Sequence, residues 1–217
     1  MTRHKNWFRQ EPKDFRRKSL GSGNFAKRYL LDADFRNIQL EDAVFDEAML
    51  EGARFDDAVL VGASIRNAHL AHAKFRGSDL TNADLSYDRD RYFKNNTCYY
   101  ADFSRANLQN ANLCRSPMTY ARFEHSILVQ ANLSRATLIA ADLSSCNLQR
   151  SNLRFTNMSR AKLIGCDLRG ADLSFTNLSG ANLENAIYDD TTTWRGTRYN
   201  QRTRWKDGKR QPPPLRY

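Results

Sequence analysis

The feature that most constrains this 217-residue chain is a five-residue period. From Ala131 to Ala186 every fifth residue is Leu or Met, running from Leu133 through Met158 to Leu183. Two places before each stands a small residue, such as Ala131, Ala141, Cys146, Ser151, Thr156, Cys166 or Ala181. Between the two lies most often Asn or Asp, as at Asn132, Asp142, Asn152 and Asp172. Neither regular element can use this period. Five residues of helix advance about 500°, which scatters the leucines around the axis. On a flat strand, whose side chains alternate, residues five apart fall on opposite faces. A repeat that suits neither points to a solenoid, in which each repeat turns the chain and stacked turns share one core.

A square coil fits. Four repeats close one turn, each Leu points to the axis from one side, and turns stack about 4.8 Å apart through backbone hydrogen bonds. The small residue at the second inward position suits a narrow interior. Asn and Asp suit the corners, where they can bond nearby backbone and tolerate unusual dihedrals. The tandem A(D/N)LXX signature resembles the pentapeptide-repeat family. That resemblance implies an all-β, right-handed quadrilateral β-helix. The segment AIYDDTTTW, residues 186–194, resembles the ending common in cyanobacterial members of that family.

The inward centres divide into two blocks, Phe25 to Leu85 and Phe103 to Tyr188. At four repeats per turn they make nearly eight turns, a rod about 37 Å long. From Leu85 to Phe103 the spacing is not a multiple of five, so residues 86–97 are expected to leave the coil as a loop. The loop is basic and aromatic, with Arg89, Arg91, Tyr92, Phe93 and Lys94. Interruptions of a regular scaffold are frequent sites of function, and a tolerated bulge is the alternative. The organisation read from sequence is therefore an arm or cap at 1–20, a β-helix at 21–188 and a cap with a basic, Pro-containing tail at 189–217. The β-helix comprises a first block at 21–85, the loop at 86–97 and a second block at 98–188. Phe35, Phe55 and Phe75 should stack on one wall, with Phe25 and Phe45 on the opposite wall. Trp194 is expected to fold over the last coil.

The formal charge of +10 belongs to the ends. Residues 1–20 carry seven Lys/Arg against two Asp/Glu, and residues 189–217 carry eight against three, which leaves 19 of each sign between them. Arg16, Arg17 and Lys18 in the first segment are candidate contacts for nucleic acid or an anionic membrane. So are Arg202, Arg204, Lys206, Lys209 and Arg210 in the last. On the rod itself, Arg115, Arg135, Phe155 and Phe175 each lie two after a centre and one turn apart, with Arg154 beside them. Exposed Phe next to Arg is the composition of interface anchors, which makes these five a candidate partner surface. Val44, Met49 and Val59 occupy outward corner positions among acids, either as a contact surface or as scatter.

Reactive chemistry is missing from the pattern. The sequence carries no phosphate loop, dinucleotide fingerprint or nucleophile elbow. His4, His69, His72 and His125 lack ligand spacing, and Cys98 and Cys114 form no CxxC. Cys146 and Cys166 read as small buried residues. The expectation is a non-enzyme with no catalytic residue, cofactor or metal. Without an apolar signal core or a span long enough for a membrane, it is expected in the cytoplasm. The expected function is a scaffold or adaptor that binds a protein partner through the coil surface, loop and tails. The alternative is nucleic-acid or anionic-membrane binding by the tails. The resemblance adds a third: some pentapeptide-repeat proteins mimic duplex DNA, bind DNA gyrase and protect it from quinolones. A mimic should be acidic, whereas this rod is neutral between basic ends.

Overall fold

The computed structural model describes residues 14–16, 20–88 and 98–206. They form a right-handed quadrilateral β-helix of nearly eight repeat coils, built from single parallel bridges rather than long strands. Successive coils register twenty residues apart, as in Asn132↔Asn152 and Asp142↔Lys162. The four walls take their names from their inward centres. Face 1 carries Phe25, Phe45, Ile65, Leu85, Leu113 and their successors to Leu173. Face 2 runs from Leu30 through Met118 to Leu178, face 3 from Phe15 through Phe75 to Leu183, and face 4 from Leu40 through Leu128 to Tyr188.

The backbone of one repeat shows why the sequence takes this form. In the repeat Ala131–Arg135, Ala131 N–H closes a turn on Leu128 O at 3.1 Å. Asn132 N–H donates to Ala111 O in the coil before, and Leu133 N–H to Asn152 O in the coil after. Arg135 N–H also donates forward, to Arg154 O at 2.9 Å. Only Ser134 N–H lacks a backbone acceptor, and Asn132 Oδ1 takes it at 3.1 Å. Every donor is thus satisfied, as buried or half-buried backbone requires. Expected at the corners, the Asn and Asp residues instead sit mid-wall on the bridging position. They cap the turn that follows rather than forming it.

The corner belongs to the two residues after each centre. The second has positive φ, as a type II turn demands: φ is +61° at Arg135, +56° at Arg150, +59° at Phe155 and +54° at Ala140. Most corners therefore hold an L residue in the left-handed region, at about 1–2 kcal/mol each. Coil-to-coil bonds hold them there. Val44, Met49 and Val59 are bridging residues on faces 1, 2 and 4 respectively, half-buried, so they occupy no corners and do not meet in one patch.

The interior is filled. The centres from Phe35 to Leu183 and the alanines two before them are almost wholly buried. The phenylalanine column on face 3 is longer than Phe35, Phe55 and Phe75. It begins at Phe15, stacked on Phe35 at 4.5 Å, and continues through Phe103 to Phe123 at 4.9 and 5.0 Å. Phe25 and Phe45 stack on the opposite wall and meet it edge-on, as for Phe35–Phe45 at 5.5 Å and 84°. Each such contact adds about 0.5–1.5 kcal/mol to the area buried. Where the small residue is polar it is satisfied internally: Thr156 and Thr176 donate to Leu133 O and Leu153 O. Cys146 and Cys166 are free, buried thiols, and burial pushes Cys146 up to about 12.

The coil extends past both ends of the 21–188 span. Asp14 bridges to Asp34. Beyond Tyr188 the register slips by single residues, from Asp167↔Ile187 to Asp172↔Thr193 and then Asn182↔Arg204. Trp194 therefore lies on the inward position of face 1 instead of folding across the end. Trp205 takes face 3, 1% exposed, and the two indoles meet at 5.7 Å. Between the blocks the offset is 28, as in Lys74↔Asp102 and Asp84↔Asn112, so eight extra residues enter between Leu85 on face 1 and Cys98 on face 2. Cys98 is buried and is itself a centre.

The corner strain is open to test. Ala140→Gly removes a single half-buried methyl and relieves an L residue at φ +54°. Relief of about 1–2 kcal/mol against an unfolded-state cost of about 0.4–1 kcal/mol predicts a net gain of about 0.5–1 kcal/mol. Thermal unfolding of the two proteins should show a midpoint higher by about 2 °C in the variant, and a lower midpoint would contradict the strain.

Candidate functional site

The eight extra residues fall in register at the corner between faces 1 and 2. The corner column there reads Lys27, Glu47, Asn67, Tyr87, Arg115, Arg135, Phe155, Phe175 and Gly196 from one coil to the next, allowing for the register offsets. The insertion and the Arg/Phe ladder, separate features in the sequence, thus lie on one edge. Asn67 holds the point of departure, accepting the Asp88 N–H on Oδ1 at 2.7 Å. The loop residues Arg89, Arg91, Tyr92, Phe93 and Lys94 lie outside the described residues.

Below the departure point, Phe155 and Phe175 stack at 4.9 Å with 7° between their planes, 48% and 41% exposed. Arg135 places its guanidinium 5.6 Å from the Phe155 centroid, on the coil above. Arg154 reaches both rings, at 5.6 and 6.0 Å, while its Nη1 pairs with Asp172 Oδ2 at 3.0 Å. Gly196 closes the column: a Cβ there would come within 2.7 Å of Phe175 Cδ1. The ring therefore lies on bare backbone, which a side chain at 196 would displace. Among the described residues Arg115 and Arg135 make no ion pair.

Beside the departure point is an open groove of about 500 Å³. Its upper wall is Asp46, Glu47, Arg66 and Asn67, and its lower wall includes Asn112, Cys114, Arg115, Asn132 and Arg135. Asp46 is locked in place. Ser64 Oγ and Arg66 Nη2 each donate to it at 2.6 Å, and Arg66 N–H at 3.1 Å. Burial pushes this carboxyl up, but the donated hydrogen bonds outweigh that and hold it below the usual carboxylate range.

A second aromatic edge, between faces 2 and 3, was not resolved by the sequence pattern. His72, Tyr100 and Tyr120 stack along it at 5.4 and 5.2 Å, and Tyr99 packs on Tyr100 at 4.1 Å. The hydrogen bond to the Tyr100 hydroxyl pushes Tyr99 up to about 12. Subtracting the eight-residue insertion puts His72, Tyr100 and Tyr120 into one column, and that subtraction is the signal that could have found them.

The basic ends prove partly committed where they are described. Arg16 pairs with Asp14 at 2.7 Å and lies 3.4 Å from Asp34. Arg204 pairs with Glu184 at 3.4 Å, and Lys206 lies 5.8 Å over the Tyr188 ring. Arg202 is exposed. Arg17, Lys18, Lys209 and Arg210 lie outside the described residues. Along face 3 the bridging positions mix both signs, reading Asp14, Asp34, Arg54, Lys74, Asp102, Arg122, Asp142 and Lys162, and the pairs Arg76–Asp102 at 2.6 Å and Lys162–Asp142 at 2.9 Å neutralise charge there. No group of three His, Cys, Asp or Glu among the described residues could hold a metal ion. No helix among them is long and apolar enough to cross a membrane.

Comparison with known proteins agrees with the architecture. The family model described as Pentapeptide repeats matches in eight copies over residues 29–62, 58–87, 98–130, 116–154 and 151–187. No curated protein sequence matches the chain. Among solved structures, the pentapeptide repeat protein Rfr23 from the cyanobacterium Cyanothece 51142 is 32% identical over 51% of this chain and 63% of its own, with a TM-score of 0.36. This chain therefore matches less than two thirds of that protein's length. HetL from the cyanobacterium Nostoc sp. strain PCC 7120, a pentapeptide repeat protein involved in heterocyst differentiation regulation, is 21% identical over 86% and 92%, with a TM-score of 0.30. A trypsin-treated form of QnrB1, a plasmid-mediated fluoroquinolone resistance protein, is 16% identical over 87% of each chain, with a TM-score of 0.43.

Because Asp46 is depressed in the folded state, its stabilising contribution is complete above the unfolded carboxyl pKa of about 3.9 and is lost as pH falls through the folded value. The unfolding free energy of the wild type minus that of Asp46→Asn should be positive and flat above about pH 5, then shrink towards acid. Urea denaturation at a series of pH values measures it. A difference that grows on acidification would contradict the assignment.

Proposed function

The chain belongs to the pentapeptide-repeat family, and from that premise we propose that it is a non-enzymatic, cytoplasmic rod that binds a protein partner. The contact surface is the corner between faces 1 and 2, where the insertion leaves the coil and Arg115, Arg135, Arg154, Phe155 and Phe175 follow. One observation carries this reading: two large aromatic side chains stand nearly half exposed, stacked and bracketed by guanidiniums, at corner positions where the fold needs no side chain at all. Interface hot spots favour aromatic and Arg anchors of this kind. The coil beneath supplies rigidity, because each corner is held by bonds to both neighbouring coils, and a rigid platform loses little entropy on binding.

Other readings draw less support. The interior holds side chains throughout, so a substrate would have only the surface to occupy. A DNA-like acidic face for gyrase is not what face 3 offers, since its carboxylates are interleaved and paired with Arg and Lys. Tail binding to nucleic acid or membrane would have to proceed with Arg16 and Arg204 already engaged by carboxylates.

The test is retention of a stoichiometric protein from nuclease-treated native lysate by the full chain. Phe155→Ala with Phe175→Ala should abolish retention while leaving the thermal midpoint within a few degrees, as expected for exposed side chains. Retention unchanged in the double variant would remove the corner from the interface.

A further inference from the structure

We propose that the corner between faces 1 and 2 takes an acidic, aromatic-containing segment of a protein partner, laid along the rod from Arg115 towards Arg195. This rests on the interaction reading above and specifies its chemistry. Charge favours such a segment. Downward from the groove the edge and its flanks hold Arg115, Arg135, Arg154, Arg195 and Arg198, and the one carboxylate among them, Asp172, is taken by Arg154 at 3.0 Å. Among the described residues Arg115, Arg135 and Arg195 make no ion pair. Upward from the groove the charges are largely paired, Asp46 with Arg66 at 2.6 Å and Glu47 with Lys27 at 3.9 Å, and Asp88 adds one carboxylate. The edge is thus basic below the groove and close to neutral above it, and an anionic segment is drawn to the lower half.

The exposed part of each ring favours it too. One face of Phe155 lies under Arg135 and the other against Phe175. Phe175 has Phe155 on one face and the Gly196 backbone close on the other. What remains in solvent is the ring edges, which carry the positive end of the aromatic quadrupole. Edges and guanidiniums together present one sign of potential. They favour carboxylates and the faces of a partner's aromatic rings, which accept edge-on contacts. A nucleic-acid strand fits worse. Stacking of bases needs open ring faces, and those of Phe155 and Phe175 are covered by Arg135, by each other and by the Gly196 backbone.

The distance is modest. Arg115 to Arg195 spans four coils, about 19 Å, which an extended segment of six residues covers. The probe is therefore a tetramethylrhodamine-labelled peptide of about eight residues alternating Glu and Tyr, followed by fluorescence anisotropy on the full-length protein. A peptide alternating Lys and Tyr and a short oligothymidylate serve as comparisons. The acidic peptide should bind best, and Arg115→Gln with Arg135→Gln should weaken it by about tenfold or more. Arg150→Gln with Arg160→Gln, an equal charge change on other corners, should leave it nearly unaltered. Unchanged circular dichroism and thermal midpoints exclude unfolding as the cause.

Equal losses in the two double variants would overturn the proposal, because binding would then follow net charge. Tighter binding of oligothymidylate, lost on the same corner, would overturn it in favour of nucleic acid. If Phe155→Ala with Phe175→Ala abolishes partner capture while the acidic peptide ignores Arg115 and Arg135, this chemistry is wrong and the interaction reading survives. If neither corner variant alters capture or peptide binding, both fail.

Discussion

The structure depends on one backbone constraint. A chain that turns a square corner every five residues must still place every N–H, and it does so only if the second corner residue enters the left-handed region. From that position its N–H points along the rod to the next coil. The bridging residue then points back, the centre points forward, and the remaining N–H falls to an Asn or Asp side chain. Everything else follows from this ledger. The Leu or Phe is inward because its backbone bonds run parallel to the axis, and its small companion is inward because two large side chains per wall would not fit. Corner strain is spread over the whole rod and offset by the same bonds that create it.

Much of this was legible in the sequence, for a physical reason. A five-residue period is incompatible with helix and with flat strand, so the periodicity alone forces a coil. Phe35, Phe55 and Phe75 could be stacked on paper because identical register repeats every turn. The role of Asn132 and its equivalents was misplaced because sequence shows that they cluster near a turn, not which donor they satisfy. The ends were misjudged for another reason. Single-residue slips after Tyr188 hide the fact that Trp194 and Trp205 still occupy inward positions, and Phe15 and Leu20 keep the five-residue spacing but have Lys13 and Lys18 where the small residue belongs.

The surface was legible in part. Arg115, Arg135, Phe155 and Phe175 share a column by simple counting. That the loop leaves from the same column needs the insertion to be placed between two particular walls, which only the bridges Lys74↔Asp102 and Asp84↔Asn112 define. The same shift concealed His72, Tyr100 and Tyr120. Net charge misleads in a related way, since Arg154 and Arg204 are paired with Asp172 and Glu184, carboxylates that sequence does not bring near them. Structure separates neutralised arginines from Arg115 and Arg135, and it is the latter that give the edge its polarity. The outcome is a rod whose interior is committed to folding and whose corners are free to vary.

Photo-crosslinking in native lysate tests the location of that contact most directly. Phe175→benzoylphenylalanine places a reactive group on the proposed edge. Ile127→benzoylphenylalanine places one on face 4, where the native residue is equally exposed at 42%. The account predicts a discrete protein adduct from position 175 and none from position 127. Adducts of equal yield from both, or from position 127 alone, would contradict it.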